Sequence, residues 1–207
     1  MNTSRHTRLF NMIAPVYGMF FWRQVRMYRR VIQENPQYFN DNEYDILDIG
    51  CGTGALAFVL AEMGHKVEGV DASSRMIKRA RRFNRSNDAK FRVGDVLDLY
   101  DPAADLSRYE HKYDVVVASY VMHGLPKEQR MAIYGAMKLL ARKRVIIMDY
   151  NQKRNIFTSF IEWLERGDYA TFIKVIEQEM KNSFPVVRTI NTGKRSAWYI
   201  CECDITG

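Results

Sequence analysis

The sequence predicts a doubly wound α/β fold: a mostly parallel seven-stranded sheet that ends in a β-hairpin, with N-terminal helices and a helical insertion as a cap. Three observations carry that prediction. Short apolar runs alternate with amphipathic stretches from Tyr44 to Met148, the pattern of parallel strands joined by crossover helices. The first run stops at three glycines spaced by two, Gly50, Gly52 and Gly54, and a helix-permissive segment follows at once. The chain closes on two strand-like runs, 186–190 and 196–203, around a turn of Asn191, Thr192 and Gly193.

In order, residues 1–40 carry a dense aromatic stripe, then a basic amphipathic helix to about Gln33. Pro15 and Gly18 divide this region into two helical pieces. Strands are expected at 44–49, 66–70, 90–93, 113–118 and 144–148, and helices at 54–63, 73–85 and from Pro126 to about Ala141. Ser73 is a candidate N-cap and Pro126 a first-turn or preceding residue. Tyr113–Ala118 is a near-continuous apolar run, as in a strand covered on both faces. Residues 156–166 and 169–181 read as two inserted amphipathic helices before the hairpin. The expected organisation is one domain over 1–207: an N-terminal helical lid to 40, a core over 44–150, the insertion over 151–185, and the hairpin over 186–207.

Composition sets the broad class. In 207 residues, 47% hydrophobic and 27% charged is ordinary for a globular chain with one substantial core. No apolar run approaches the roughly 18 residues that span a bilayer, and no apolar signal core opens the chain, so a cytoplasmic location is expected. Three cysteines without metal-ligand spacing support neither a disulfide framework nor a metal site. The net charge of +7 admits a nucleic-acid partner. That partner is not favoured, because the arginines at 23, 26, 29 and 30 and at 75, 79, 81, 82 and 85 fall on helices with an apolar opposite face, where a solvated face accounts for them.

The glycine turn announces a nucleotide-like ligand, since glycines admit positive φ and close approach, and the next helix offers its free N–H groups. Gly50, Gly52 and Ala55 also satisfy a relaxed dinucleotide fingerprint, with Asp71 at the distance of a ribose-binding acid, so an oxidoreductase reading stays open. Three features point elsewhere. Asp48, two residues before the first glycine, would repel a pyrophosphate and attract an ammonium. Gly54 widens the turn. Gly94 and Asp95 place a carboxylate after the third strand, where it can accept from an adenine amino group.

With Leu47–Gly54, Gly69–Asp71, Gly94–Asp95 and Tyr113–Ser119 in this order and spacing, the chain resembles the class I S-adenosylmethionine-dependent methyltransferases. The resemblance implies S-adenosyl-L-methionine as cofactor, with S-adenosyl-L-homocysteine as product. It places the turn of Gly50, Cys51, Gly52 and Gly54 against the methionine and ribose, and Asp71 with Ala72 at the ribose hydroxyls. Asp95 and the Val96 backbone would meet the adenine, Ser119 the methionine end, and Asp48 the amino group. A strand-end cap without a ligand is the other reading of Asp48 and Asp71, and a helix cap of Asp95.

Residues Phe10–Gly18 further resemble the opening of the ubiquinone and menaquinone methyltransferase-like group, which makes Tyr17 a candidate lid over the cofactor or else part of the core. The chain departs from that group at Gly18, where an acid is common, and at Ala141, Arg142 and Lys143 before the fifth strand.

A sulfonium is an activated leaving group, so the protein has mainly to position the acceptor and exclude water. His123, just after the fourth strand, is the candidate to orient or deprotonate an acceptor; a histidine packed behind the pocket is the alternative. Asp149 and Tyr150 end the fifth strand and are placed to face an acceptor. Phe157, Phe160, Trp163, Tyr169 and Phe172 on the inserted helices suggest a small apolar or aromatic molecule. An RNA or protein acceptor is the competing enzyme reading, and a non-catalytic cofactor-binding protein the competing class. Against the first, Ser119–Met122 stands where many amino-group methylases carry Asn-Pro-Pro-aromatic.

Overall fold

The computed structural model describes residues 19–39, 43–85, 88–95, 110–151, 169–193 and 196–203, with the side chains of 169–173 left aside. Tyr17, Val96, the expected helix over 156–166 with its aromatics, and the side chains of Tyr169 and Phe172 lie outside the described residues. Seven strands form one sheet in the order β3-β2-β1-β4-β5-β7-β6. Backbone contacts divide the chain into two compact units, Met1–Asp98 and Leu99–Gly207.

In the first unit, helix α1 (Phe21–Glu34) buries Phe21, Val25, Tyr28, Val31 and Ile32 and exposes Arg23, Arg26 and Arg30. Phe21 stacks on Phe83 at 4.1 Å and meets Phe58 edge-on at 5.7 Å, so the aromatic stripe is partly core. Strands β1 (Asp45–Ile49), β2 (Lys66–Asp71) and β3 (Lys90–Val93) pair in parallel. Helix α2 (Ala55–Glu62) is buried from Ala55 to Leu60, as a helix enclosed on every side must be. Helix α3 (Ser74–Phe83) starts where expected, because Ser73 Oγ accepts from the Met76 amide at 3.2 Å. Met76, Ile77 and Ala80 face inward, and Arg75, Arg81 and Arg82 are exposed. Arg81 additionally donates to the Phe91 carbonyl.

In the second unit, β4 (Tyr113–Ser119) and β5 (Ala141–Tyr150) pair in parallel, while β6 (Val186–Asn191) and β7 (Ser196–Glu202) add the antiparallel hairpin through β7. Helix α4 (Lys127–Leu140) follows Pro126, and α5 (Tyr169–Ser183) precedes the hairpin.

Strand β5 is longer than the expected 144–148. Its polar start belongs to the sheet because Ala141 pairs with Tyr113, Arg142 and Lys143 lie 3.0 and 3.5 Å from the Asp114 carboxylate, and the Lys143 carbonyl accepts from Cys203. Cys51, Cys201 and Cys203 are all buried. No helix among the described residues is long and apolar enough to cross a membrane, and no acidic, histidine or cysteine cluster among them suits a metal ion.

Candidate functional site

The first unit gathers most of the predicted cofactor residues at the carboxyl ends of β1, β2 and β3. Gly50, Gly52 and Gly54 all adopt positive φ, at 65°, 53° and 77°. They differ in what surrounds them. A Cβ on Gly54 would stand 2.8 Å from Asn84 Nδ2 and 2.9 Å from the Phe91 ring, whereas one on Gly52 would meet nothing within 4 Å among the described residues. Gly54 is thus required by packing, and Gly52 leaves its backbone open to a ligand. Cys51 closes the turn: its amide donates to the Val70 carbonyl at 3.1 Å and its carbonyl accepts from Gly54 at 2.8 Å. Burial raises its thiol well above the ordinary value.

Asp48 lies beneath this turn at 1% exposure, and neither of its carboxylate oxygens has a hydrogen-bond partner among the described residues. Burial, with the nearby charge of Asp71 adding to it, pushes its carboxyl up to about 8. Such a group is costly to leave unpaired, and a cation would relieve it. Asp71 is half-buried. Its oxygens accept from the Gly52 amide at 2.9 Å and the Ser73 amide at 2.7 Å, which uses two of about four lone-pair directions and leaves acceptor capacity. Burial raises the Asp71 carboxyl, those two amides lower it, and Asp95 raises it again. Ala72 and Asp95 are half-buried beside it in sequence and at the end of β3.

The second unit holds Ser119 and His123. Ser119 turns its hydroxyl toward Met148 Sδ at 3.8 Å. His123 lies in a short 3₁₀ turn, Met122–Gly124, and is buried at 7% exposure. Its Nδ1 is 2.9 Å from Asp149 Oδ1, and the ring of Tyr150 meets it edge-on at 4.8 Å. Asp149, expected to face an acceptor, instead points inward at 1% exposure and binds the amides of Met122, His123 and Tyr150. Tyr120, after β4, takes φ 56°, a conformation uncommon outside glycine.

Sequence reasoning did not single out Tyr120, nor Asn84, whose buried amide ties the Gly54 and Ala80 carbonyls together. Neither has a local signal: one is a backbone outlier and the other acts across 30 residues. Phe91 was also missed. Its ring lies under Gly69, where a Cβ would stand 2.7 Å from it, so that glycine is spatially obligatory.

A family profile described as a methyltransferase domain matches residues 40–193. The chain belongs to the class I S-adenosylmethionine-dependent methyltransferases. This methyltransferase is similar to the ribosomal protein L11 methyltransferase of Ruminiclostridium cellulolyticum, 32% identical over 66% of the chain and 44% of that protein. It is 24% identical to the ubiquinone biosynthesis O-methyltransferase of Rickettsia typhi, over 71% of the chain and 61% of the relative. The chain therefore spans roughly half the length of these relatives. Among solved structures, the magnesium protoporphyrin IX methyltransferase of Synechocystis PCC 6803 with bound SAH superposes with a TM-score of 0.68. That likeness covers 97% of this chain and 99% of that one at 18% identity, and speaks for the fold.

Proposed function

We propose that this chain transfers the methyl group of S-adenosylmethionine to a small, apolar or aromatic acceptor. The observation that carries the cofactor half is Asp48, a buried carboxyl group without a hydrogen-bond partner among the described residues, beneath a glycine turn where a Cβ on Gly52 would meet none of them within 4 Å. The residues fit the cofactor's chemistry: Asp48 would hold the ammonium, the remaining lone pairs of Asp71 the ribose hydroxyls, and Asp95 the adenine amino group. S-adenosylmethionine, when bound, supplies a methyl group already activated by its sulfonium. What is left to the protein is orientation and exclusion of water. His123, with Tyr120 and Tyr150 in the same unit, is the group assigned to the acceptor.

The acceptor class rests on the ubiquinone and magnesium protoporphyrin relatives and on the aromatic side chains beside His123. The L11 methyltransferase relative and the net charge of +7 support a second reading, a protein acceptor. Isothermal titration with S-adenosylmethionine, S-adenosylhomocysteine and NAD tests the first half. The two sulfur nucleosides should bind and NAD should not. Asp71→Ala, removing charge-assisted bonds of about 1.5–3 kcal/mol, should weaken S-adenosylmethionine binding about 10- to 100-fold; unchanged affinity would refute the assignment. Mass spectrometry of small-molecule and protein fractions given deuteromethyl cofactor separates the two acceptor readings by where the label appears.

A further inference from the structure

The start of helix α1 carries an apolar surface that faces water. Met19, Phe20 and Trp22 are 83%, 46% and 55% exposed, whereas Met63, Val93 and Val186, the other large apolar side chains exposed among the described residues, are scattered along the chain. Single exposed apolar groups are ordinary, and a cluster of them marks a contact surface. Phe21, in the middle of this cluster, is buried and stacks on Phe83 of α3 at 4.1 Å. Trp22 meets Phe21 edge-on at 5.1 Å and Phe58 of α2 at 5.6 Å. The cluster is therefore anchored on the packed helices of the first unit, and it adjoins the last turn of α3.

Cations flank it on both sides. Trp22, Arg26 and Arg30 recur at intervals of four on one stripe of α1, Arg23 follows Trp22, and all four are exposed. Across the Phe21–Phe83 stack, residues 74–85 hold six cations, Arg75, Lys78, Arg79, Arg81, Arg82 and Arg85, and no acid. Lys78, Arg82 and Arg85, spaced by four and three, are exposed and form no ion pair among the described residues, and the same is true of Arg23 and Arg26. Like charges three and four apart on a helix repel one another. A face that is only solvated relieves this with interleaved acids, as α5 does by pairing Lys181 with Glu177 at 2.8 Å.

We propose that this face of the first unit, the apolar start of α1 flanked by the cations of α1 and α3, docks on the surface of an anionic lipid bilayer. Met19, Phe20 and Trp22 enter the boundary between headgroups and acyl chains, where an indole keeps its apolar body in lipid and its N–H in water. The arginines meet the lipid phosphates. The helix lies on the membrane, with its own apolar face still packed on the protein. The apolar members also decide between a bilayer and the other common polyanion, RNA. A single-strand binder offers ring faces on which bases stack. Here Phe21 and Phe83 cover each other, and Met19, the most exposed member, has no ring. Such a side chain gains by leaving water for hydrocarbon. The inference stands apart from the methyl-transfer reading, because lipid binding is measured without cofactor.

Flotation of the full chain with vesicles tests it. Vesicles of equal parts phosphatidylcholine and phosphatidylglycerol should carry the protein at about 0.1 M salt, and vesicles of phosphatidylcholine alone should carry little of it. Raising the salt to about 1 M, which shortens the screening length from about 10 Å to about 3 Å, should weaken the binding. Equal binding to the two kinds of vesicle, or binding to neither, overturns the proposal without recourse to any variant. Arg82→Gln combined with Arg85→Gln should lower partitioning about 25-fold, at about fivefold per cation. Met19→Ser combined with Phe20→Ser should lower it about tenfold or more. All four positions are exposed, so both variants should melt with the wild-type protein. Phosphatidylcholine brominated on its acyl chains, mixed into the anionic vesicles, should quench tryptophan emission in the wild type and much less in Trp22→Phe. Unchanged partitioning in both double variants overturns the proposal, as does quenching undiminished in Trp22→Phe. Retention of single-stranded RNA in place of the vesicles overturns it in favour of a nucleic-acid surface.

Discussion

Asp48 couples ligand chemistry to stability through one proton. Its carboxyl sits at about 8 in the folded chain because burial penalises the charge first and Asp71 second, against about 3.9 when unfolded. A group whose folded value is raised keeps its proton in the folded state after the unfolded chain has lost it. The ligand-free protein should therefore lose stability as pH rises from about 4 toward 8, by up to several kcal/mol at about 1.4 kcal/mol per pH unit. Asp48→Asn should remove that part of the slope while weakening S-adenosylmethionine binding. Urea unfolding of wild type and variant at pH 5 and pH 8 measures it, and parallel slopes would count against the assignment.

The glycines of the turn separate by the same kind of argument. Gly54→Ala meets both positive φ and two contacts under 3 Å and should destabilise by about 2–4 kcal/mol. Gly52→Ala meets only the φ penalty, about 1–2 kcal/mol. Its added methyl would meet no described residue within 4 Å and would stand where the proposed cofactor lies, so it should lose cofactor affinity out of proportion to its stability. Thermal melts paired with calorimetry distinguish the two.

Among the elements, α4 and α5 are joined by a buried ion pair. Arg130, 1% exposed, donates from Nε and Nη2 to the two oxygens of Glu179 at 2.9 and 2.8 Å, and from Nη1 to the Leu125 carbonyl at 2.6 Å. Leu125 directly follows the turn that carries His123, so the pair holds that turn against α5. Glu179→Ala leaves a buried guanidinium without its carboxylate and should cost about 3–5 kcal/mol by chemical denaturation. Replacing both partners by apolar residues of similar volume should cost much less.

This pair also marks where sequence reading stops. The α5 pattern of Ile176 and Met180 announces a helix with a buried face, but Glu179 inside it reads as a solvated charge until its partner, 49 residues away, is known. The same holds for β5, whose first residues look like the end of a helix because Arg142 and Lys143 are polar. Only Asp114 on the neighbouring strand explains them. Where the determinant is local, as in the Ser73 cap, the glycine turn or the apolar run of β4, the sequence was legible to within a residue or two.

Across the whole molecule the two ends of the chemistry differ in legibility for one physical reason. The proposed cofactor half rests on backbone turns and strand-end carboxylates, and those require particular residue types at short spacings: Gly50 to Gly54, Asp71 with Ser73, Gly94 with Asp95. The proposed acceptor half rests on side chains that meet across elements, such as His123 with Asp149 from 26 residues away. A residue in the second group can be suspected from its position, as His123 was. Its contact with Asp149, and the inward turn of that carboxylate, required the fold.

The three cysteines form a built-in clock for local opening. Cys51 sits in the glycine turn of one unit, and Cys201 and Cys203 lie at the end of β7 or just past it in the other, all buried, with the thiols of Cys51 and Cys201 held far from reactive ionisation by that burial. A thiol reagent should therefore modify each only when its surroundings open, and the modification rate reads the free energy of that opening. S-adenosylmethionine at 100 times its dissociation constant stabilises the bound state by about 2.7 kcal/mol, roughly 100-fold in rate. That slowing should appear at Cys51, followed by mass spectrometry of the labelled peptides, so a residue with no chemistry of its own can time how often the glycine turn comes undone.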